Sequence, residues 1–434
     1  MSLIIPFLVA MWTGSLIFGA IYRKSPWEDA LGILVSFWLG LAGCAFVVFY
    51  SILITGRYEP LNVILATMIF IIFSCLLCYY RQGNLFLCFQ GLGMAPWLRV
   101  FIIFLIAGIL MTGLSYHHLY GDWDAWSLWN YRARFLVLSQ DHWKDIYTYA
   151  AQAKHPWLLP YWIVFGWTWL WGQSYSFSLL SAQIFGLIVL ATVFFSIFNL
   201  TKNKNASFLA CLWLACNPCF LVISVSQYAD VLMASLIALN MMLLLRLYQN
   251  NTRADALTLG LMLGIMSFCK DEGILSALLF IVLFVGLFRE NKAMYIPFFG
   301  GFGVSLVPVI LVKYWMYPAP SGGNVLYFPH FVQWHRWAHI CQYFIMMLMK
   351  PVYGGVLIFI AGLLASFWIK PLDEKDKMMS GFLGMFAAVF FLLYVLVLDS
   401  LDWRLVVTAD RLVYQILPLG IIFLFYRIFG KSPE

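Results

Sequence analysis

Chemistry-bearing side chains gather between residues 115 and 160, in SYHHLYGDWDAWSLWNYRARFLVLSQDHWKDIYTYAAQAKHPWLLP. This stretch holds Asp122, Asp124, Asp141, Asp145, Arg132, Arg134, Lys144 and four of the seven histidines, while long apolar runs lie on either side. Two carboxylates spaced as Asp122 and Asp124 can serve as a general base and as a metal or hydrogen-bonding partner. Turns also favour Asp for purely backbone reasons. The aromatic setting adds weight to the chemical reading. Trp123, Trp126 and Trp129 suit an amphipathic helix at an interface, where their faces could stack on a sugar ring. An ordinary solvated connector is shorter and carries fewer aromatic residues.

Other ionisable groups fall at the ends of apolar runs: Asp230 in SQYAD, the turn Lys270-Asp271-Glu272-Gly273, and the segment Asp399 to Arg411 with Arg404 inside it. Charges this close to hydrocarbon are costly, and are functional or paired. Lys270 and Arg411 are placed to neutralise a phosphate, or else to snorkel beside Asp271 and Asp410. His155-Pro156 opens a helix with Pro near its first position. That accounts for the proline and leaves His155 to face a cavity. His335 and His339 share a helix face at i, i+4, a spacing seen in metal sites, although an interfacial aromatic-basic belt produces it too. Cys75 and Cys78 have CxxC spacing on an apolar span without His or acid beside them, so they read as small hydrophobes.

The elements that must position these groups are membrane spans. Of the 434 residues 63% are hydrophobic and 10% charged, and the mean hydropathy is +0.88, far from the soluble balance. The fold class is an all-α polytopic membrane protein of about 13 spans. The formal net charge of +7 does not imply nucleic acid. At a membrane, Lys and Arg chiefly mark the cytoplasmic side.

Spans are expected near 1–21 (retained rather than cleaved, since a basic n-region is lacking), 30–55, 61–80 and 98–115. Later ones fall near 176–199, 206–224, 230–248, 255–270, 273–288, 294–316, 340–369, 378–398 and 410–429. The stretch 157–172 decides the topology. If it does not cross, 15 basic residues share one side against 11 on the other; if it crosses, the balance becomes 10 against 16. The positive-inside rule prefers the first arrangement, which also gathers every His on the outer side. Residues 157–172 are therefore expected to lie at, or dip into, the outer interface, with Trp157, Trp162, Trp167, Trp169 and Trp171 at headgroup level. Three segments follow: N-terminal helices 1–97, a catalytic module 98–290 with its outer loop at 116–175, and C-terminal helices 291–434.

In this order the features resemble the membrane-embedded GT-C glycosyltransferases, in particular the bacterial branch related to protein O-mannosyltransferases and lipid A aminoarabinose transferases. The resemblance covers roughly residues 98 to 290 and rests on GDWDAW followed by YRARF, HPWLLPYW, SQYADVLMASL and FCKDEG. It implies a GT-C-like bundle with outer juxtamembrane helices, in the bacterial inner membrane with the active site on the periplasmic face. The donor would be a polyprenyl-phosphate sugar and the acceptor a glycan, lipid or protein, with membrane lipids as surroundings. By resemblance Asp122 or Asp124 carries the catalytic carboxylate. Trp126, Arg132, Arg134, His155, Asp230, Lys270, Glu272, Arg404 and Arg411 are candidates for substrate binding. A divalent metal is compatible but not required.

A phosphate leaving group departs without a general acid once cations neutralise it, so an inverting single displacement needs one base and a positive cradle. Two rivals stand beside this reading. A transporter or flippase calls for ionisable residues at mid-span, broken helices and inverted repeats. A non-catalytic assembly subunit has no need of a dense acidic and His-rich loop.

Overall fold

The computed structural model describes residues 2–23, 30–81, 94–115, 119–149, 156–316, 327–350, 353–368, 371–397 and 400–430. They form helices, as continuous apolar composition in a bilayer demands, because each backbone N–H and C=O must be satisfied within its own segment. In chain order these are α1 (Ile5–Tyr22), α2 (Ala30–Thr55), α3 (Pro60–Tyr80), α4 (Met94–Ser115), α5 (Asn130–Leu138) and α6 (Ile146–Tyr149). Next come α7 (Leu158–Trp169), α8 (Tyr175–Thr201), α9 (Lys204–Ala215), α10 (Pro218–Val225), α11 (Ala229–Asn250) and α12 (Arg253–Cys269). The last six are α13 (Asp271–Phe288), α14 (Tyr295–Ile310), α15 (Trp334–Met349), α16 (Gly354–Ser366), α17 (Glu374–Leu396) and α18 (Leu401–Phe429).

Among the described residues nine helices are long and apolar enough to cross a membrane, or ten if α9 and α10 count as one span bent by 69°. About 13 were expected. The difference lies in α4, whose described apolar part is Ile102–Ser115, in α12 with 17 residues, and in the stretch near 340–369, which is divided between α15 with 16 residues and α16 with 13. The bend between α9 and α10 follows from Asn217-Pro218. The proline cannot continue α9, and the Asn217 side chain caps α10 by accepting from the Phe220 N–H at 3.1 Å.

At the centre, α2, α8 and α11 are stitched by small polar groups. The fully buried Trp38 indole donates to Ser235 Oγ at 3.2 Å, and Thr192 Oγ1 lies 3.3 Å from the same hydroxyl. Backbones approach closely where α12 meets α14. A Cβ on Gly260 would sit 2.0 Å from the Phe298 carbonyl, and one on Gly301 2.4 Å from that of Leu257. Glycine at both crossing points is what lets the two helices pack without a hydrophobic drive between them.

Helix α7 keeps one expectation and corrects another. Its 12 residues span roughly 18 Å at 1.5 Å per residue, well short of a bilayer core. Yet most of its tryptophans do not face outward. Trp157 and Trp162 are fully buried and Trp167 nearly so, whereas Trp171 is exposed. The Trp162 indole donates to Ser181 Oγ at 3.1 Å and the Trp167 indole to the Ser174 carbonyl at 2.9 Å. A segment apolar on all faces gains more by filling the space between α2, α3, α5 and α8 than by lying half in water.

Helix direction sorts the charges. Helices α4, α10, α12 and α17 end at the pole where α8, α11, α13 and α18 begin, and there the ionisable residues singled out above converge. At the opposite pole lie Lys202, Arg246, Arg289, Lys377 and Arg427. Arg427 is more than a topology marker. Its guanidinium is fully buried, paired with Asp376 at 2.8 Å, and donates to the carbonyls of Pro371 at 3.0 Å and Ser366 at 2.7 Å.

Candidate active site

The loop after α4 is delivered to the end of α10 by one glycine. Gly121 has φ +74°, and a Cβ there would meet the Ser226 carbonyl oxygen at 2.8 Å and the Ala125 Cβ at 2.4 Å. Freed of that Cβ, the chain lets the Asp122 N–H donate to the Ser226 carbonyl at 3.2 Å, while Ser226 Oγ donates to Asp122 Oδ2 at 2.7 Å. Gln227, itself at φ 61°, clamps the loop on both flanks. Its Nε2 donates to the Leu119 carbonyl at 3.0 Å, and its Oε1 accepts from Asn130 Nδ2 at 2.8 Å. Immediately after Asp124 the backbone takes a π-helical turn over Ala125–Trp129, an irregularity often found at functional positions.

Behind this loop lies a buried charge network drawn from four separate segments. Asp230, in the first turn of α11 where the helix dipole favours an anion, is 1% exposed at its side chain and accepts four hydrogen bonds. Lys270 donates to Oδ1 at 2.9 Å and Gln415 at 2.5 Å. Arg411 donates to Oδ2 through Nε at 3.0 Å and Nη2 at 2.7 Å. The third guanidinium nitrogen, Nη1, reaches forward to Asp124 Oδ2 at 2.5 Å, and the guanidinium carbon stands 4.4 Å from the centre of the Tyr228 ring. Burial, with the Asp124 carboxylate beside it, pushes the Tyr228 phenol above its ordinary range, so it stays a neutral hydroxyl. Lys270 also pairs with Glu272 at 3.1 Å. At the rim Lys313 pairs with Asp271.

Asp122, Asp124, Asp230, Lys270, Glu272 and Arg411 are thus brought together from the candidates expected. Lys270 and Arg411 stand as partners of carboxylates rather than as an open cationic cradle. Trp126 is exposed on the loop, edge-on to Trp123 with centroids 4.5 Å apart. Arg404 lies two turns before Arg411 on α18, and Arg134 is exposed on α5. Arg132 is enclosed: its guanidinium is fully buried 4.9 Å from the Trp157 ring and 5.6 Å from that of Trp129. Burial pulls its pKa down to about 10, which leaves it charged at neutral pH, stacked beneath the loop. His155 lies outside the described residues, as do His117 and His118.

Sequence reading missed Ser226, Tyr228 and Gln415. The first two sit in the same SQYAD that gave Asp230, and Gln415 is one helical turn past Arg411, where i, i+4 side chains share a face. His339 pairs its Nε2 with Asp402 at 2.6 Å instead of with His335. Among the described residues no group of three or more His, Cys, Asp or Glu side chains is placed to hold a metal ion.

Residues 154–315 match the family described as dolichyl-phosphate-mannose-protein mannosyltransferase, a family of the GT-C type. The match covers part of the chain and points to a GT-C type glycosyltransferase. Comparison with curated proteins and with solved structures returned no match. The matched stretch takes in helices α7 to α14. It contains Asp230, Lys270 and Glu272, while Asp122, Asp124 and Arg411 come from outside it. The apolar helices and the match together point to an integral membrane protein, and the matched family uses lipid-linked sugar donors and acceptors.

Proposed function

We propose that this protein transfers a sugar from a polyprenyl-phosphate carrier to an acceptor hydroxyl on the outer face of a bacterial inner membrane, with Asp122 as general base. The observation that carries the reading is the convergence of Asp122 and Asp124 with the Arg411–Asp230–Lys270 network at one pole of an otherwise apolar bundle. A polyprenyl tail needs such a bundle beside it, and the phosphate needs cations at its headgroup end.

Asp122 is held by the neutral Ser226 hydroxyl, whereas Asp124 is occupied by a guanidinium. On this reading the base is Asp122, and Asp124 aims Arg411. In an inverting displacement the acceptor O–H gives its proton to Asp122 while its oxygen forms a bond to the anomeric carbon. The bond from that carbon to the phosphate oxygen breaks, and polyprenyl phosphate leaves with the electron pair. Arg411 Nη1 exchanges Asp124 for a phosphate oxygen as the donor arrives, and Asp230 keeps the guanidinium plane fixed throughout. Trp123 and Trp126, exposed together at the loop tip, offer stacking faces for the sugar.

Incubating the purified protein with polyprenyl phosphate carrying a labelled sugar, with candidate acceptors, is expected to release free polyprenyl phosphate and labelled product. An intact donor with every acceptor removes the proposal. Among the described residues the bend between α9 and α10 is the one broken-helix feature that suits a transporter. Its polar groups are satisfied internally, however, since Asn217 Oδ1 caps α10 and also accepts from the Tyr414 hydroxyl at 3.1 Å. Movement of the labelled donor across vesicles without its consumption is the result that favours transport.

Sidedness has its own test. The active pole faces outward only if Asn205 and Glu374, both exposed at the opposite pole, face the cytoplasm. With Cys88, Cys216 and Cys341 replaced by serine, Asn205→Cys and Glu374→Cys are expected to resist an impermeant maleimide in intact cells and to react after permeabilisation. Labelling of both in intact cells inverts the topology and removes the outer-face assignment.

A further inference from the structure

The guanidinium of Arg411 is gripped unevenly. Asp230 accepts from both Nε and Nη2 with the same oxygen, Oδ2, because its Oδ1 is taken by Lys270 and Gln415. A fork that uses both carboxylate oxygens fixes the orientation of a guanidinium as well as its place. Two bonds converging on one oxygen hold the inner edge but resist roll of the outer edge less. That outer nitrogen, Nη1, is steadied by Asp124, the partner that the arriving phosphate displaces in the transfer step above.

The Tyr228 ring is a contact which this exchange leaves in place. It covers the face of the guanidinium, whose carbon lies 4.4 Å from the ring centre. The Arg411 side chain is 10% exposed, and a desolvated cation is held over an aromatic face more firmly than one at an open surface. Capping does not account for this tyrosine. It stands at the N-cap of α11 with φ −93° and ψ 154°, where Ser, Thr, Asn and Asp are favoured, and makes no side-chain capping bond. Its place two residues before Asp230 gives one short segment two holds on the same cation, a carboxylate at the edge and a ring on the face. The phenol, kept neutral by burial and by the Asp124 carboxylate, adds no charge that would compete for Arg411. Its hydroxyl end lies beside the Asp124 backbone, so the oxygen serves the loop and the ring serves the cation.

We propose that Tyr228 is a positioning residue for the donor phosphate: with Asp230, its ring keeps the Arg411 plane in place while Nη1 passes from Asp124 to a phosphate oxygen. The inference rests on the proposed use of a polyprenyl-phosphate donor. It assigns the role to the ring, so an aromatic side chain without the oxygen is sufficient for it.

The test measures binding of sugar-free polyprenyl phosphate to the full-length protein in detergent, read as the gain in Tm with ligand concentration. Steady-state kinetics with the labelled donor run beside it. Tyr228→Leu is expected to weaken binding of polyprenyl phosphate and to raise the donor KM, each about tenfold, as loss of a desolvated cation–aromatic contact implies. The acceptor KM is expected to stay unchanged. Tyr228→Met is a second ringless variant with the same expectation, for use if the Leu variant does not fold. Tyr228→Phe is expected to remain within about threefold of wild type, because the ring face is kept. Wild-type binding in the ringless variants, or an equal loss in Tyr228→Phe, overturns the proposal. A lower unliganded Tm with unchanged dependence on ligand makes the residue structural only and overturns it too, as does a wild type that does not bind polyprenyl phosphate. A wild type that binds polyprenyl phosphate yet leaves every labelled donor intact removes the transfer reading instead, and the binding series then decides on Tyr228.

Discussion

Asp122→Asn is expected to lower sugar transfer by about 10²–10⁴-fold, the usual cost of removing a general base, while leaving the fold intact. The amide oxygen of Asn still accepts from Ser226 Oγ, and the backbone bond from residue 122 to the Ser226 carbonyl does not involve the side chain. What disappears is the capacity to take a proton. Asp124→Asn is expected to act differently, because Arg411 Nη1 loses its charged partner there. Its larger effect should fall on donor affinity, seen as a raised KM with a smaller change in kcat. Steady-state kinetics on both variants, with thermal unfolding as a folding control, separate the outcomes. The reverse pattern exchanges the two roles. Full activity in both variants means that the loop is not catalytic.

Asp230→Ala is expected to be the most destabilising single change in the active pole, at about 3–5 kcal/mol, because it takes from two buried cations the carboxylate they share and leaves Lys270 with Glu272 and Arg411 with Asp124. The Lys270 and Arg411 side chains are 9% and 10% exposed, and among the described residues Asp230 is the carboxylate bonded to both. Asp230→Asn, which keeps two polar atoms of similar size, should cost less. The sharper expectation is non-additivity. Combining Asp230→Asn with Arg411→Gln should be less destabilising than the sum of the two single changes, since each removes the charge that strands the other. Thermal unfolding in detergent of the two single variants and the double variant completes the cycle, and additive losses would show that the pair is not coupled.

Much of this was legible from residue order. Runs of about 20 apolar residues have no other fate in a bilayer than helices, so the all-α membrane class followed from composition. Charges beside such runs persist only with partners or a purpose, which singled out Asp122, Asp124, Asp230, Lys270 and Arg411. The distribution of Lys and Arg argued against a crossing by the stretch opening at Trp157, and the 12 residues of α7 are short for one.

Tertiary structure decided who meets whom. Sequence paired Lys270 with Asp271 and Arg411 with Asp410, because proximity along the chain is all it records. The fold instead gives both cations to Asp230, which stands 40 and 181 positions away from them. In a low-dielectric interior the strongest available pairing wins irrespective of separation along the chain. The burial of α7 was hidden for a related reason. Five tryptophans look the same whether they face headgroups or a protein interior, and only the positions of α2, α3, α5 and α8 decide which surface lies opposite them.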